Sequence, residues 1–156
     1  MYSLVRRYIK TAIAFLMFGL LIGGWMIIRR ELWQRQPSEY EISAHTHTVF
    51  VGFIMMMILG VALWLFPRPA KDDERYDPTM AAAAYWTTTL ATGARVGGEI
   101  ARAALMSVGA APLWLRLLIV LAGVAQGVGI GIFFFTMWSR IRPVGSQGRE
   151  ARGERF

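Results

Sequence analysis

Long apolar runs, separated by short polar stretches, set the plan of this chain. Residues 11–28 form the first run, behind a basic start of Arg6, Arg7 and Lys10. Residues 49–66 form the second, which Pro67 ends. A third segment opens at Thr79; its first half is apolar and its second half carries Arg95, Glu99 and Arg102. The fourth runs over 113–138. A helix of about 20 apolar residues crosses a bilayer core. The pattern therefore predicts an all-α, integral membrane four-helix bundle over residues 1–142, with spans at about 8–28, 44–66, 79–107 and 113–139. Pro37-Ser38 marks a turn, with Ser43 as the expected N-cap of the second helix. Residues 109–112 make a tight connection. The Arg-, Gly- and Ser-rich stretch 143–156 is expected to be a disordered basic tail. The first run does not fit a signal peptide: it is longer than a signal's apolar region and ends at Arg29-Arg30 without a small-residue cleavage pattern.

Composition narrows the class. Of 156 residues, 55% are hydrophobic and none is cysteine. That composition is usual for a small membrane protein. The absence of cysteine excludes disulfides, thiolate metal sites and covalent C-x-x-C-H haem attachment. The net charge of +7 does not point to nucleic acid, because the arginines flank apolar segments as membrane anchors do. Lys and Arg of the N-terminus, of the second loop (Arg68, Lys71, Arg75) and of the tail outweigh Arg29, Arg30 and Arg35 of the first loop. The positive-inside rule then puts both termini in the cytoplasm of a multi-pass protein of a bacterial-type inner (plasma) membrane. On this topology the two histidines and the outer half of the third helix lie at a similar depth.

The only imidazoles, His45 and His47, stand at the mouth of the second helix. A polar ring there is costly without a partner, so both are candidate metal ligands, with a haem iron as the leading case. Interfacial histidines bonded to water or lipid are the plain alternative. Two residues apart, the rings point about 200° from each other on a regular helix, so they do not serve the same face of one haem. His45 shares its face with Gly52, Met56, Gly60 and Leu63, a face that admits a neighbouring helix or a flat macrocycle. His47 shares its face with Val51, Ile54, Ile58 and Leu65, which reads as lipid-facing. Arg95 and Glu99, four apart, pair on one helical face that Arg102 shares. Arginines snorkelling to the interface are the alternative. Gly19/Gly23 and Gly123/Gly127/Gly131 supply small-residue faces for helix packing.

The stretch AHTHTVFVGFIMMMILGVALWLFP resembles the second helix of the haem-copper oxidase subunit I superfamily, which includes cytochrome oxidases and nitric oxide reductases. In reductase-like members an H-T-N stretch opens this helix; here the counterpart is His45-Thr46-His47, with Trp64-Leu65-Phe66-Pro67 at its end. Short four-helix relatives with an H-x-H-x4-G opening are closer still, and His45, His47 and Gly52 match that spacing. The resemblance implies that a histidine here is an axial ligand of a non-covalent haem b near the outer side of the membrane. Arg95 and Arg102, or Arg29 and Arg30, are then candidate propionate partners, and Gly52 and Met56 line the haem face. A complete superfamily site needs six histidines, and this chain has two. One copy is therefore not expected to be an enzyme reducing oxygen or nitric oxide. Met106 or Met137, or a histidine of another subunit, is a candidate second axial ligand; an empty position suits gas binding.

The leading expectation is thus a membrane haem b protein for gas binding or electron transfer, in contact with lipid, self-associating, and serving a respiratory or electron-transfer partner. The competing reading is a cofactor-free subunit that packs by its glycine faces onto itself or a larger complex. A transporter gated by Arg95-Glu99 is disfavoured by four short spans without internal repeats.

Overall fold

Inside lipid, backbone polar groups must be satisfied within the segment, so apolar runs of this length fold as helices. The computed structural model describes residues 2–66, 77–105, 110–141 and 152–153. Helix α1 is Tyr2–Trp33, α2 is Glu39–His47, α3 is Met56–Leu65, α4 is Pro78–Leu105 and α5 is Leu113–Met137. A π-helical stretch, Thr48–Met55, joins α2 to α3, and a 3-10 turn, Trp138–Arg140, ends α5. Because α2, the π stretch and α3 run on as one rod, the architecture is four helices, with no strand among the described residues. Met106, the expected helix end at Ser107, the loop 67–76 and all of the tail but residues 152–153 lie outside the described residues.

Three helices are long and apolar enough to cross a membrane: Ser3–Trp33, Glu39–Leu65 and Leu113–Arg140. The third expected span is not among them. Helix α4 has the length, but Thr87, Thr88, Thr89, Thr92, Arg95, Glu99 and Arg102 dilute its apolar character. Part of that polarity is turned inward, for Thr88, Thr92 and Glu99 are buried. Helix α4 packs along α5 and against α2, with Trp86, Leu90 and Ile100 exposed on its other face. Asp77 caps it by accepting from Thr79 N–H (2.7 Å), and Pro78 fits the first helical position, where no N–H is needed.

The second rod begins earlier than expected. Its N-cap is Ser38, not Ser43: Ser38 Oγ accepts from Glu41 N–H (3.3 Å), and Glu41 Oε2 accepts from Ser38 N–H (2.8 Å). This reciprocal pair is a capping box, and it satisfies two N–H groups that a helix start leaves unpaired.

Glycines set the close contacts, though not all the expected ones. A Cβ at Gly19, Gly52 or Gly60 would fall within 3 Å of Val49, Phe15 and Tyr8, respectively, so α1 lies tight along the second rod. Between α4 and α5 the close points are Gly129, where a Cβ would fall 2.4 Å from Thr88 Oγ1, and Gly98, where one would fall 2.9 Å from Ile119. Of the expected Gly123/Gly127/Gly131 face, only Gly123 meets a neighbour, the Arg95 guanidinium. Gly127 and Gly131 have nothing within 4 Å. The face of α5 that packs inward is instead Ala122, Gln126, Gly129 and Phe133, all buried.

The dry core sits at the end of the bundle away from the histidines. Tyr8, Met56, Leu59, Leu63, Tyr85, Phe133 and Met137 form it, with Tyr8 edge-on to Tyr85 (5.0 Å) and Phe133 (5.8 Å). Arg140, 1% exposed, closes this end by donating to Leu63 O (3.2 Å), Phe66 O (3.0 Å) and Met137 Sδ (3.0 Å). It thereby satisfies carbonyls that the end of α3 leaves unpaired, a favourable place for a cation.

Candidate functional site

The two histidine rings leave α2 toward different neighbours. His45 faces α1. Its Nδ1 lies 3.0 Å from Gly19 O; a carbonyl only accepts, so Nδ1 carries the proton. The ring rests in the notch of Gly23, where a Cβ would fall 2.9 Å from Cε1. His47 faces α4. Its Nδ1–H donates to Ser43 O (2.8 Å), and Nδ1 stands 3.6 Å from Glu99 Oε2. Neither Nε2 has a hydrogen-bond partner among the described residues. A ring nitrogen held on a carbonyl with the other left as a lone-pair donor is the arrangement that orients metal-ligating histidines.

Around His47 runs a polar seam across three helices. Glu99, 3% exposed, accepts from Ser43 Oγ (2.8 Å) and from Arg95 Nε (3.1 Å). Arg95 Nη1 donates to Gln126 Oε1 (3.2 Å), Gln126 Nε2 to Thr92 Oγ1 (3.0 Å), and Thr92 Oγ1 to Thr88 O (2.7 Å). A buried carboxylate survives when it is paired and hydrogen-bonded, and these contacts supply both. The expected Arg95–Glu99 pair is formed, and the charged half of α4 does reach the second helix.

The π stretch explains why His47 is not lipid-facing. A π turn holds more residues than an α turn, so the faces above and below it fall out of register. Ile54, Ile58 and Leu65 are exposed, while His47 is turned to Glu99. Thr48 lies at the junction and donates its hydroxyl to Ala44 O (2.7 Å); such back-bonding disturbs the regular ladder.

The other sequence candidates divide. Gly52 lies under Phe15, and Met56 is wholly buried in the core. The glycine-bearing face has thus taken α1, one of the two occupants the sequence allowed. Arg102 stacks over Tyr40 (5.3 Å to the ring centre), and its Nε and Nη1 are buried without an acceptor. Met137 packs with Tyr8, about 16 Å along α1 from Gly19 at 1.5 Å per residue, so it does not reach His45. Arg29 pairs with Glu41 across the α1–α2 turn, and Arg30 pairs with its neighbour Glu31 (2.7 Å).

Sequence reasoning missed a cavity of about 750 Å³ between α1, the start of α2 and α4. Its lining is apolar on α1 and α4 (Phe18, Leu21, Ile22, Trp25, Met26, Ile100, Ala103), with Phe18, Leu21, Trp25 and Ile100 exposed, and polar toward the α1–α2 turn (Arg29, Arg35, Gln36, Ser38, Glu41). That volume is in the range of cofactor pockets, roughly 300–1,000 Å³. His45 does not line it, but Ile22 and Met26, beside the Gly23 notch, do. Among the described residues no three His, Asp or Glu side chains converge as a metal cluster. His45 is an oriented imidazole whose Nε2 has no hydrogen-bond partner among the described residues, and Arg102 carries buried donors without an acceptor, but neither residue lines the cavity. The capping box at Ser38–Glu41 was a legible signal for the rim; the cavity had none.

No curated protein and no solved structure gives a significant match to the chain. The family model described as cytochrome c and quinol oxidase polypeptide I matches residues 3–149, nearly the whole chain, so this membrane protein belongs to that family, the haem-copper oxidase subunit I family.

Proposed function

We propose that the chain is a membrane b-type haem protein in which His45 would hold the haem iron through Nε2. The observation that carries this reading is the hydrogen bond from Nδ1–H to Gly19 O with the ring seated on Gly23. It fixes the tautomer and leaves Nε2 as the donor. Arg102, whose buried Nε and Nη1 have no acceptor, would be a cation for the propionates. When bound, haem b supplies an iron for one-electron transfer or for binding oxygen, nitric oxide or carbon monoxide. This chain's own residues orient the imidazole, keep the site apolar and balance charge.

His47 plays a different part, since together with Ser43 it ties α2 to Glu99. The topology that goes with this reading has α4 crossing beside the other three helices, both termini on the cytoplasmic side, and the site near the outer surface of a bacterial-type inner membrane. With two histidines, one copy does not carry out oxygen or nitric oxide reduction; self-association and a respiratory partner belong to the same reading. A cofactor-free packing subunit is the second reading, favoured by the open Gly127 and Gly131 positions.

The test is the visible spectrum of the purified protein after haem is supplied during expression. A Soret band in wild type and His47→Ala, lost in His45→Ala, is the expected result. No Soret band in wild type leaves the cofactor-free subunit.

A further inference from the structure

We infer that the cavity between α1 and α4 is a binding site for one anionic phospholipid, with an acyl chain along α1 and the phosphate at Arg35. The site is independent of the haem assignment, because His45 does not line the cavity. The cavity, of about 750 Å³, is open: its wall residues Phe18, Leu21, Trp25 and Ile100 are also exposed. In a membrane protein an open apolar groove of this kind meets acyl chains. Its depth suits one. From Phe18 to Arg29, α1 advances about 16 Å at 1.5 Å per residue, and one leaflet of the roughly 30 Å hydrocarbon core is about 15 Å deep. The wall residue Trp25 meets Trp33 edge to face (5.2 Å), and tryptophans gather at headgroup depth.

The polar end selects the head group. Gln34 turns the chain after α1 in the left-handed conformation (φ 55°), and Arg35 N–H donates to Arg29 O (3.1 Å). The turn brings Arg35 and Gln36 to the polar end of the cavity. Arg29 is paired with Glu41, whose other oxygen takes the Ser38 N–H (2.8 Å) and hydroxyl (2.9 Å). The Arg35 side chain has no ion pair and no hydrogen bond among the described residues. Arg29 and Arg35 against Glu41 leave this end with one positive charge in excess. A guanidinium takes a phosphate through paired N–H donors. A lipid of one net negative charge, the phosphatidylglycerol class, cancels the excess. A zwitterionic lipid carries its own cation to the same place and leaves the excess standing.

The full chain is reconstituted in bilayers of equimolar phosphatidylcholine and phosphatidylglycerol and released in mild detergent. Its bound lipid is then counted by native mass spectrometry. One phosphatidylglycerol per chain is expected to stay, in about tenfold preference over phosphatidylcholine, the effect of one charge-assisted bond. Arg35→Gln removes the unpaired charge from an exposed position; it is expected to erase the preference and leave the circular dichroism spectrum unchanged. Arg30→Gln, whose partner is Glu31, is expected to keep the preference, and so is His45→Ala. Leu21→Trp, at an exposed wall position, fills the groove and is expected to shed both lipids. Equal retention of the two lipids by wild type overturns the site. So does a preference that survives Arg35→Gln, or a wild type that retains only detergent or an uncharged lipid.

Discussion

The two ends of this bundle are built on opposite rules. At the Tyr8 end, aromatic and aliphatic side chains fill the space between helices, and the notable charge, Arg140, is bound to helix-end carbonyls. At the His45 end, a carboxylate, a guanidinium, an amide and hydroxyls bridge α2, α4 and α5, and a cavity opens beside them. In a lipid surround there is no hydrophobic drive between helices, and they associate through close van der Waals packing and interhelical polar bonds. The dry end holds by close packing, with Gly60 seated against Tyr8. The polar end holds by specific pairs beside the cavity.

Glu99→Ala should break the contrast most severely. It leaves Arg95 and Ser43 without their shared acceptor, and loss of a buried partner costs about 3 kcal/mol. Thermal unfolding in detergent, followed by circular dichroism, reads the loss. A change under about 0.5 kcal/mol, the level of an ordinary surface substitution, means the seam does not hold the helices. Gly129→Ala comes next: the new methyl meets Thr88, and overpacking of this kind costs about 1–3 kcal/mol. Gly127→Ala, two residues away in open space, should stay within about 0.5 kcal/mol; equal effects at both sites would show that the packing face is wrongly drawn. Arg140→Ala removes charge-assisted bonds at the dry end and should cost about 2 kcal/mol. It should leave any Soret band unmoved, because it lies at the other end from His45. Gly23→Ala puts a methyl 2.9 Å from the His45 ring, pushes it, and should shift or weaken any haem spectrum.

Much of this was legible in the sequence, and the misses have physical causes. Apolar runs gave the four rods because lipid permits little else, and the i, i+4 spacing of Arg95 and Glu99 gave their pair. Average polarity hid how α4 is divided: α2 and α5 cover the face with Thr88, Thr92 and Glu99, and the opposite face exposes Trp86, Leu90 and Ile100. The small-residue spacing at Gly123/Gly127/Gly131 was real, but a four-residue repeat drifts around a helix of 3.6 residues per turn, and the contact fell on Gly129. The His47 face was misjudged because nothing in Thr48–Met55 announces a π stretch. The Ser38-x-x-Glu41 capping box was readable and places the helix start earlier than Ser43 does.

The most direct test of the central claim is rescue of the ligand. His45→Gly and His47→Gly are purified with haem supplied, and imidazole is then added to each. The expected result is that His45→Gly lacks the Soret band and regains it with imidazole, while His47→Gly has the band without it. A Soret band that persists in His45→Gly without imidazole, or that is lost only in His47→Gly, would contradict His45 as the ligand.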